Sequence, residues 1–368
     1  MFFEIDYNYI NYRGHKIKKE NLIEYYLSQI FDNKHNIYRE KMYLHRFLYL
    51  PKYPKDPRAK KYYKKKFLKK FSKIKNKSIK KIETVFLTQL SPFGNSIITL
   101  NNIIFYCEII GCHQILLDNK NPHLNWPIKK PIYIEKLNIT IMTESYIDCN
   151  NDYSLCQEYN QWNLFYPSIL LPEIRIHYIK NEILRYIPEV DIKQDDLYIH
   201  IRGGDIFESY ISEYYAQPPL CFYEKIIDNN TQFKNIYLLS MDRKNPVLNA
   251  LINKYKNIIF EQHDNEFDIS LLVHAFNIVA SVSTFVISSI KFNDNINNLW
   301  EYDIFRLSQK FVCFHHHFYK YGIKYNIYSM RPSEVYVNKM FVWKNSKSQL
   351  KLMIEDTCPY DFVLINHI

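Results

Sequence analysis

Glycine is scarce in this sequence, and several glycine-dependent motifs are missing. Only 6 of the 368 residues are glycine, and they form neither a Walker A string nor a Gly-x-Ser-x-Gly elbow. These absences argue against a P-loop nucleotide site and against an α/β-hydrolase. No Gly/Ser-rich linker and no internal repeat divides the chain.

Long apolar runs are missing as well. No segment is long and apolar enough to span a bilayer, and the early acids Glu4 and Asp6 do not fit a signal peptide. We therefore expect a cytoplasmic or peripherally membrane-associated protein.

Metal ligands do not occur at useful spacings. The 7 cysteines include no Cys-x-x-Cys pair, so neither a zinc ribbon nor a disulfide scaffold is expected. A reducing compartment is the simpler interpretation, and a local Cys149–Cys156 pair is the alternative. The three histidines at 315–317 would alternate between the faces of a strand, which disfavours one shared ion. No Asp-x-Asp pattern occurs, and we expect no metal and no cofactor.

Apolar side chains, in contrast, are plentiful. Hydrophobic residues make up 47% of the chain and aromatic residues 17%. With 368 residues, this is enough for sizeable cores in two domains, or in one large domain with extensions.

The positive charge is concentrated in one segment. Residues 58–81 contain 13 basic and no acidic side chains, and without them the net charge of +10 becomes −3. A general nucleic-acid-binding surface is therefore not indicated. Phe67, Leu68, Phe71 and Ile74 recur at helical spacing here, which predicts an amphipathic basic helix. Its cationic face is either simply solvated or contacts an anionic membrane surface, with RNA as a further alternative.

Two later segments alternate short strands with helices. In the first, residues 84–87 and 114–117 have the pattern of strands on either side of a helix at 97–110. Gly94 would allow a close backbone approach at the turn before this helix, and Asn95 would cap it.

The second segment predicts more strands and helices in the same alternation. Strands are expected at 197–201, 235–240, 257–260 and 278–281, and helices at 267–277 and 284–290. Such alternation is typical of a doubly wound parallel sheet. We therefore predict an α/β protein with two Rossmann-like domains, at 82–190 and 191–368, after a basic extension at 1–81. Residues 16–48 of that extension are expected to be helical.

The most informative segment is 200–205, His-Ile-Arg-Gly-Gly-Asp, at the end of a predicted buried strand. Ligands of open α/β sheets bind just beyond the carboxyl ends of the strands. Arg202 can pair bidentately with a diphosphate there, and Gly203 and Gly204 let backbone N–H groups approach the same oxygens. A fixed cation stabilises a departing diphosphate most in the transition state, because the charge grows as the bond breaks. The alternative is a turn with an Arg202–Asp205 ion pair.

Several segments resemble those of the α1,2-, α1,6- and protein O-fucosyltransferase group. Segment 200–205 is similar to the group's His-x-Arg-x-x-Asp signature. Residues 93–95, Phe-Gly-Asn, resemble its N-terminal turn, and residues 280–285, Ala-Ser-Val-Ser-Thr-Phe, resemble its later donor motif. Residues 332–349 are similar to its closing segment. The resemblance spans residues 82–355.

This resemblance implies a GT-B-like fold with the donor GDP-fucose between two Rossmann-like domains. It also implies an inverting, metal-independent transfer of fucose to a glycan or protein hydroxyl. Arg202 would bind the β-phosphate, and His200 would contact the diphosphate or the fucose. The other residues that would contact the donor are Gly94, Asn95, Gly203, Gly204, Asp268, His274, Ser283, Thr284 and Phe285.

The sequence departs from the group's pattern at two positions, and it offers more than one candidate for the general base. Relatives carry a second arginine where this chain has Gly203, and the N-terminal turn lacks its first glycine. Another nucleotide sugar is therefore the alternative donor. An inverting transfer benefits from a carboxylate base, for which Asp205, Glu208 and Glu213 are candidates, although Asp205 would also serve to orient Arg202. The competing hypothesis is a non-catalytic, transferase-like module that binds a membrane or RNA through residues 58–81.

Overall fold

The structure is a computed structural model in which the chain forms two compact units, Met1–Lys81 and Ile82–Ile368. It describes residues 5–6, 9–12, 15–18, 83–88, 93–110, 112–118, 130–144, 156–160, 176–185, 187–208, 216–303, 325–340 and 342–365.

The described part of the first unit is a small antiparallel sheet. Its strands are β1 (Ile5–Asp6), β2 (Tyr9–Tyr12) and β3 (His15–Lys18), in the order β1-β2-β3. The prediction that residues 16–48 are helical is therefore wrong for residues 16–18, which belong to β3. The aromatic and β-branched residues of these strands favour extended backbone. The rest of the predicted helical and basic extension, including residues 58–81, lies outside the described residues.

The second unit contains two mainly parallel sheets. The strands of the first sheet are β4 (Thr84–Thr88), β5 (Gln114–Asp118), β6 (Ile132–Ile134), β7 (Ile139–Glu144) and β8 (Cys156–Asn160). They lie in the order β6-β7-β5-β4-β8, and only β6 runs antiparallel to its neighbour. The chain therefore reverses its direction of winding between β4 and β8, which makes this the switch point of the first sheet.

Helix α1 (Phe93–Ile110) connects β4 to β5. It is apolar on several sides, as is typical of a helix that is covered by other elements. Its fully buried residues include Ile97, Ile98, Leu100, Ile103 and Ile104. The helix begins at Phe93, so the prediction that Asn95 is its cap is wrong. Shorter elements follow: 3-10 helices η1 (Glu135–Leu137) and η2 (Ile176–Ile179), and helix α2 (Lys180–Leu184).

The second sheet has seven strands and carries the remaining helices. The strands are β9 (Asp196–His200), β10 (Asn235–Leu239), β11 (Ile258–Ile259), β12 (Asn277–Ala280), β13 (Asn298–Tyr302), β14 (Asn326–Met330) and β15 (Phe362–Ile365). The helices are η3 (Gly204–Phe207), α3 (Leu220–Asn229), α4 (Pro246–Lys254), α5 (Asn265–His274), α6 (Thr284–Ile290), α7 (Glu334–Met340) and α8 (Lys347–Glu355).

The strand order of the second sheet is β11-β10-β9-β12-β13-β14-β15. All neighbours are parallel except β15, which runs antiparallel to β14. Counted from β9 as the first strand, the parallel part has the order 3-2-1-4-5-6 of dinucleotide-binding folds, with its switch point between β9 and β12. The predicted α/β fold with two parallel sheets is confirmed.

Both faces of the second sheet are covered. All five residues of β9 are buried. Leu197 and Ile199 join the apolar cluster on one face, while Tyr198 joins the cluster on the other. A parallel strand buried on both sides reads as a continuous apolar run, which is the pattern that predicted this strand.

A disulfide joins Cys221, in α3, to Cys358, just before β15, across 137 residues of chain. The sequence pattern favoured reduced cysteines, with a Cys149–Cys156 pair as the alternative, and did not predict this disulfide. The pairing arises from tertiary proximity, and the spacing of the cysteines along the sequence does not reveal it. Cys107 and Cys112 are buried free thiols, and Cys149 lies outside the described residues. Among the described residues, no helix has the length and apolar character needed to cross a membrane.

Candidate functional site

The switch point of the second sheet is closed by a hydrogen bond between two strand ends. His200 Nδ1 lies 2.6 Å from Ser281 Oγ, linking the end of β9 to the residue after β12. The imidazole is buried and stacks on the ring of Phe285, with 5.4 Å between the centroids. The two motifs predicted from the sequence, 200–205 and 280–285, therefore meet here.

The environment of His200 keeps its imidazole neutral. Burial, together with the nearby charge of Arg202, lowers the pKa of His200 to about 3. A neutral ring contacts a ligand only as a hydrogen-bonding and stacking partner. In this structure, His200 supplies no positive charge for a phosphate.

Arg202 stands just beyond the end of β9, with its side chain 21% exposed. Its Nη2 lies 3.5 Å from Asp205 Oδ1, and the Asp205 side chain is 66% exposed. The guanidinium is thus neither locked in the interior nor lost to bulk solvent. The contact with Asp205 is long, and that carboxylate is exposed.

The two glycines of the motif pack against the carboxylate of Asp242, which lies after the neighbouring strand β10. The Gly204 N–H donates to both oxygens of Asp242, each at 3.2 Å, and the Lys244 N–H donates to Oδ1 at 3.0 Å. A Cβ on Gly203 would lie 2.5 Å from Asp242 Oδ1 and 3.0 Å from Ser240 Oγ. Gly204 has φ +73°, a left-handed conformation that suits glycine. The expectation that the Gly204 amide reaches phosphate oxygens is corrected, because Asp242 already accepts from it.

Residues 201–208, here called the motif loop, are held by their carbonyls by side chains from the cap of α4 and from the segment between α7 and α8. Asn245 Nδ2 donates to the Arg202 carbonyl at 3.0 Å. Trp343 Nε1 donates to the Ile206 carbonyl, and Asn345 Nδ2 donates to that of Phe207. These contacts hold the backbone from which Arg202 extends.

Gly94 and Asn95 lie where α1 packs against α6. A Cβ on Gly94 would lie 2.5 Å from the Thr284 carbonyl carbon and 2.6 Å from the Phe285 nitrogen. Ser288 Oγ donates to the Gly94 carbonyl at 2.9 Å, and Thr284 Oγ1 donates to Asn95 Oδ1 at 2.8 Å. The close backbone approach predicted for Gly94 is therefore made by a helix of the protein. Since α1 follows β4 and α6 follows β12, this contact joins the two switch-point regions.

Ser283, Thr284 and Phe285 open α6 on the second sheet. The Ser283 side chain caps the helix, accepting from the Phe285 N–H at 3.2 Å. The Phe285 ring lies between His200 and Phe93, 6.0 Å from the latter by ring centroids. Their role in donor binding stays a prediction, and the contacts show that both hydroxyls already take part in helix packing.

The two predicted residues of α5 lie at opposite ends of the helix. Asp268 is in the first turn, at the carboxyl edge of the sheet, whereas His274 ends the helix just before β12 begins. A helix of this length spans roughly 15 Å, so His274 is at the edge far from Arg202. Its Nδ1–H donates to the Ser270 carbonyl at 2.9 Å. The structure therefore does not bring His274 to the site.

Asp268 forms a buried pair that the sequence did not reveal. Its Oδ1 lies 3.4 Å from His263 Nδ1. Burial raises the pKa of Asp268 to about 6, while the neighbouring His263 opposes the rise. A signal for His263 existed, because it lies four residues after the end of β11, in the loop where ligands of such sheets bind.

The two candidate bases that the structure describes, Asp205 and Glu208, are both paired with cations. Glu208 Oε1 lies 2.9 Å from Lys244 Nζ, so this carboxylate is already paired. Asp205 contacts Arg202, and Glu213 lies outside the described residues. Asp242 and Lys244 were missed in the sequence, although they follow β10 just as the motif follows β9.

Comparison with known proteins gives only distant structural neighbours. No protein-family model and no curated protein sequence matches this chain. Two similar solved structures are POFUT1 in complex with GDP, with 11% identity and a TM-score of 0.33, and POFUT1 in complex with GDP-fucose, with 11% identity and a TM-score of 0.34. Each match covers 61% of this chain and 99% of the POFUT1 chain. At such low TM-scores the similarity carries no argument about function, which has to come from the site itself.

Proposed function

We propose that this protein is a glycosyltransferase whose nucleotide-sugar donor binds at the carboxyl edge of the second sheet. The observation that supports it best is Arg202, a partly exposed guanidinium at the switch point of a 3-2-1-4-5-6 sheet. Ligands of such sheets bind at this place. A planar cation held on this loop is suited to a diphosphate.

The proposed reaction transfers a sugar to a hydroxyl with inversion. The acceptor oxygen attacks the anomeric carbon as the bond from that carbon to the β-phosphate oxygen breaks, and its electron pair passes to the diphosphate. Arg202 stabilises the charge that develops on the diphosphate. The neutral His200 and the ring of Phe285 line the adjoining surface. GDP-fucose is the proposed donor, and the proposed transfer needs no metal.

The proton of the acceptor hydroxyl needs a base. Glu208 and Glu213 are the proposed candidates, because Asp205 is the partner of Arg202. Glu208 acts only after it leaves Lys244. Asp268 and His263 are proposed to contact the nucleobase or ribose of the donor, since both lie at the same edge of the sheet, one strand beyond β10.

A thermal-shift screen tests the proposal. GDP, UDP, ADP and their sugars would be compared on the wild-type chain, and GDP and GDP-fucose should raise the melting temperature most, because a ligand that binds only the folded state stabilises it. Arg202→Ala and Arg202→Lys should abolish or strongly reduce the shift.

The matched control is Arg185→Gln. Arg185 is an exposed arginine of the same unit that pairs with Glu182 on its own helix, so its variant should keep the full GDP shift. An equal shift in wild type and Arg202→Ala would contradict the proposal.

A further inference from the structure

The charge balance around Arg202 leaves a diphosphate only partly compensated. Arg202 carries one positive charge and shares it with Asp205, whereas a nucleoside diphosphate carries more than one negative charge. His200 is neutral, and the Gly204 N–H is directed at Asp242. A second cation near this loop would therefore compensate a diphosphate better than Arg202 alone.

Position 203 is closed to such a cation. A Cβ there would lie 2.5 Å from Asp242 Oδ1, far inside van der Waals contact. Asp242 is held in place by the N–H groups of Gly204 and Lys244. A cationic side chain has to reach the loop from another element.

Lys244 is the cation that reaches it. It follows β10, the strand next to β9, and its N–H shares the Asp242 carboxylate with the motif loop. Its Nζ extends along η3 to Glu208 Oε1 at 2.9 Å and lies 3.6 Å from Asp242 Oδ2. Arg202 ends on Asp205 at the start of the same turn, so two cations and two exposed acids lie along one short helix.

We infer that Lys244 is a second diphosphate-binding residue, which supplies the positive charge that position 203 cannot carry. The inference rests on the proposed function. Lys244 exchanges Glu208 for a phosphate oxygen when the nucleotide binds. The exchange is easy because the Lys244 side chain is 47% exposed and the Glu208 side chain 62% exposed, and ion pairs between exposed groups contribute little.

The neighbouring Arg243 offers a matched control. Its guanidinium carbon lies 5.1 Å from the ring centroid of Phe260, which directs it toward the end of β11. It has the same charge and adjoins Lys244 in sequence, but it does not contact the motif loop through its side chain. Arg243→Gln therefore removes a charge from the same region and leaves the inferred contact intact.

Isothermal titration of the full chain with GDP and with GMP tests the inference. Lys244→Gln should weaken GDP binding by about 10-fold, the size of one charge-assisted contact. GMP, which lacks the β-phosphate, should be weakened by less than about 3-fold, and Lys244→Arg should restore GDP binding. Arg243→Gln should bind GDP like the wild type. Melting temperatures of all variants establish that each is folded.

The outcomes separate this inference from the proposed function. Wild-type affinity of Lys244→Gln for GDP, or equal weakening for GDP and GMP, overturns the role of Lys244 and leaves the role of Arg202 standing. If the wild-type chain itself does not prefer GDP over GMP, the proposed function fails and the inference fails with it.

Discussion

The two sheets of the second unit share a strand order but differ in what they present. Around its first strand, each has the order 3-2-1-4: β7-β5-β4-β8 in one and β11-β10-β9-β12 in the other. The carboxyl edge of the second sheet carries Arg202, Asp242 and Lys244, each at the end of a strand or just after it. The first sheet contributes the start of α1, with the uncharged Gly94 and Asn95 against α6. The shared strand order therefore sets the position of a switch point but not its chemistry, which depends on the residues that follow each strand.

The largest predicted effect on stability comes from disrupting the contact between α1 and α6, which joins the two sheets. Gly94→Ala places a methyl group 2.5 to 2.6 Å from the backbone of Thr284 and Phe285, and backbone cannot move away cheaply. We expect a loss of ~3 kcal/mol or more in the free energy of unfolding, despite the better helix propensity of alanine. Urea unfolding measures the loss.

Asn95→Ala is the control for the contact between α1 and α6. It removes the hydrogen bond that Asn95 Oδ1 accepts from Thr284 and introduces no clash, so it should cost about 1 kcal/mol. If Gly94→Ala were no less stable than Asn95→Ala, the close packing of α1 on α6 would be contradicted.

The next prediction concerns a link found within the second sheet. Replacing both Cys221 and Cys358 by serine removes the crosslink between α3 and the segment before β15. We expect unfolding to become easier by ~2–3 kcal/mol, since the crosslink restricts the unfolded chain. Thermal unfolding with and without a dithiol reductant measures it. The double variant should not respond to reductant, and a wild type equally insensitive to reductant would argue against the disulfide.

The lowered pKa of His200, at the switch point of the second sheet, predicts that the stability of the fold depends on pH. Its pKa is about 3 in the folded chain, against an ordinary value of 6.5. The unfolded chain therefore binds the proton first, so stability is fully present above pH 6.5 and falls as the pH decreases toward 3. The loss from this group should reach ~2 kcal/mol at about pH 5.

The measurement is the difference in unfolding free energy between wild type and His200→Asn at about pH 7 and about pH 5. Subtracting the variant removes the contribution of other titrating groups. An unchanged difference between the two pH values would show that the folded-state pKa of His200 is not lowered.

The smallest predicted effect tests the support of the motif loop. Ser346 and Gln349 form a capping box at the start of α8, next to Asn345, which holds the carbonyl of Phe207. Ser346→Ala should cost about 1 kcal/mol of stability. Lys351→Ala, which alters an exposed residue of the same helix, should stay within about 0.5 kcal/mol. Equal stabilities of the two variants would contradict the cap.

Much of the fold was predictable because its signals are local. The apolar run before His200 predicted β9, and the alternation of strands and helices predicted two parallel sheets. The rule that ligands lie beyond strand ends singled out Arg202 as a candidate, and its role stays a prediction. Residues 280–285 were singled out by resemblance, and in the structure Ser281 meets His200.

The rest depends on contacts between residues distant in the sequence. Cys221 and Cys358 meet only because β15 folds back beside β14. Gly94 allows the backbone of a helix 190 residues further on in the chain to pack closely against it. No local sequence pattern distinguishes this role from that of a glycine that allows a ligand to approach the backbone. Asp242 was missed because only the folded sheet brings the end of β10 beside the end of β9.

A crystal structure of the protein with GDP bound is the most direct test of the central claim. The account predicts the diphosphate at the carboxyl edge of the second sheet, with the Arg202 guanidinium within hydrogen-bonding distance of a β-phosphate oxygen. A diphosphate bound elsewhere, with the Arg202 guanidinium out of contact with it, would contradict it.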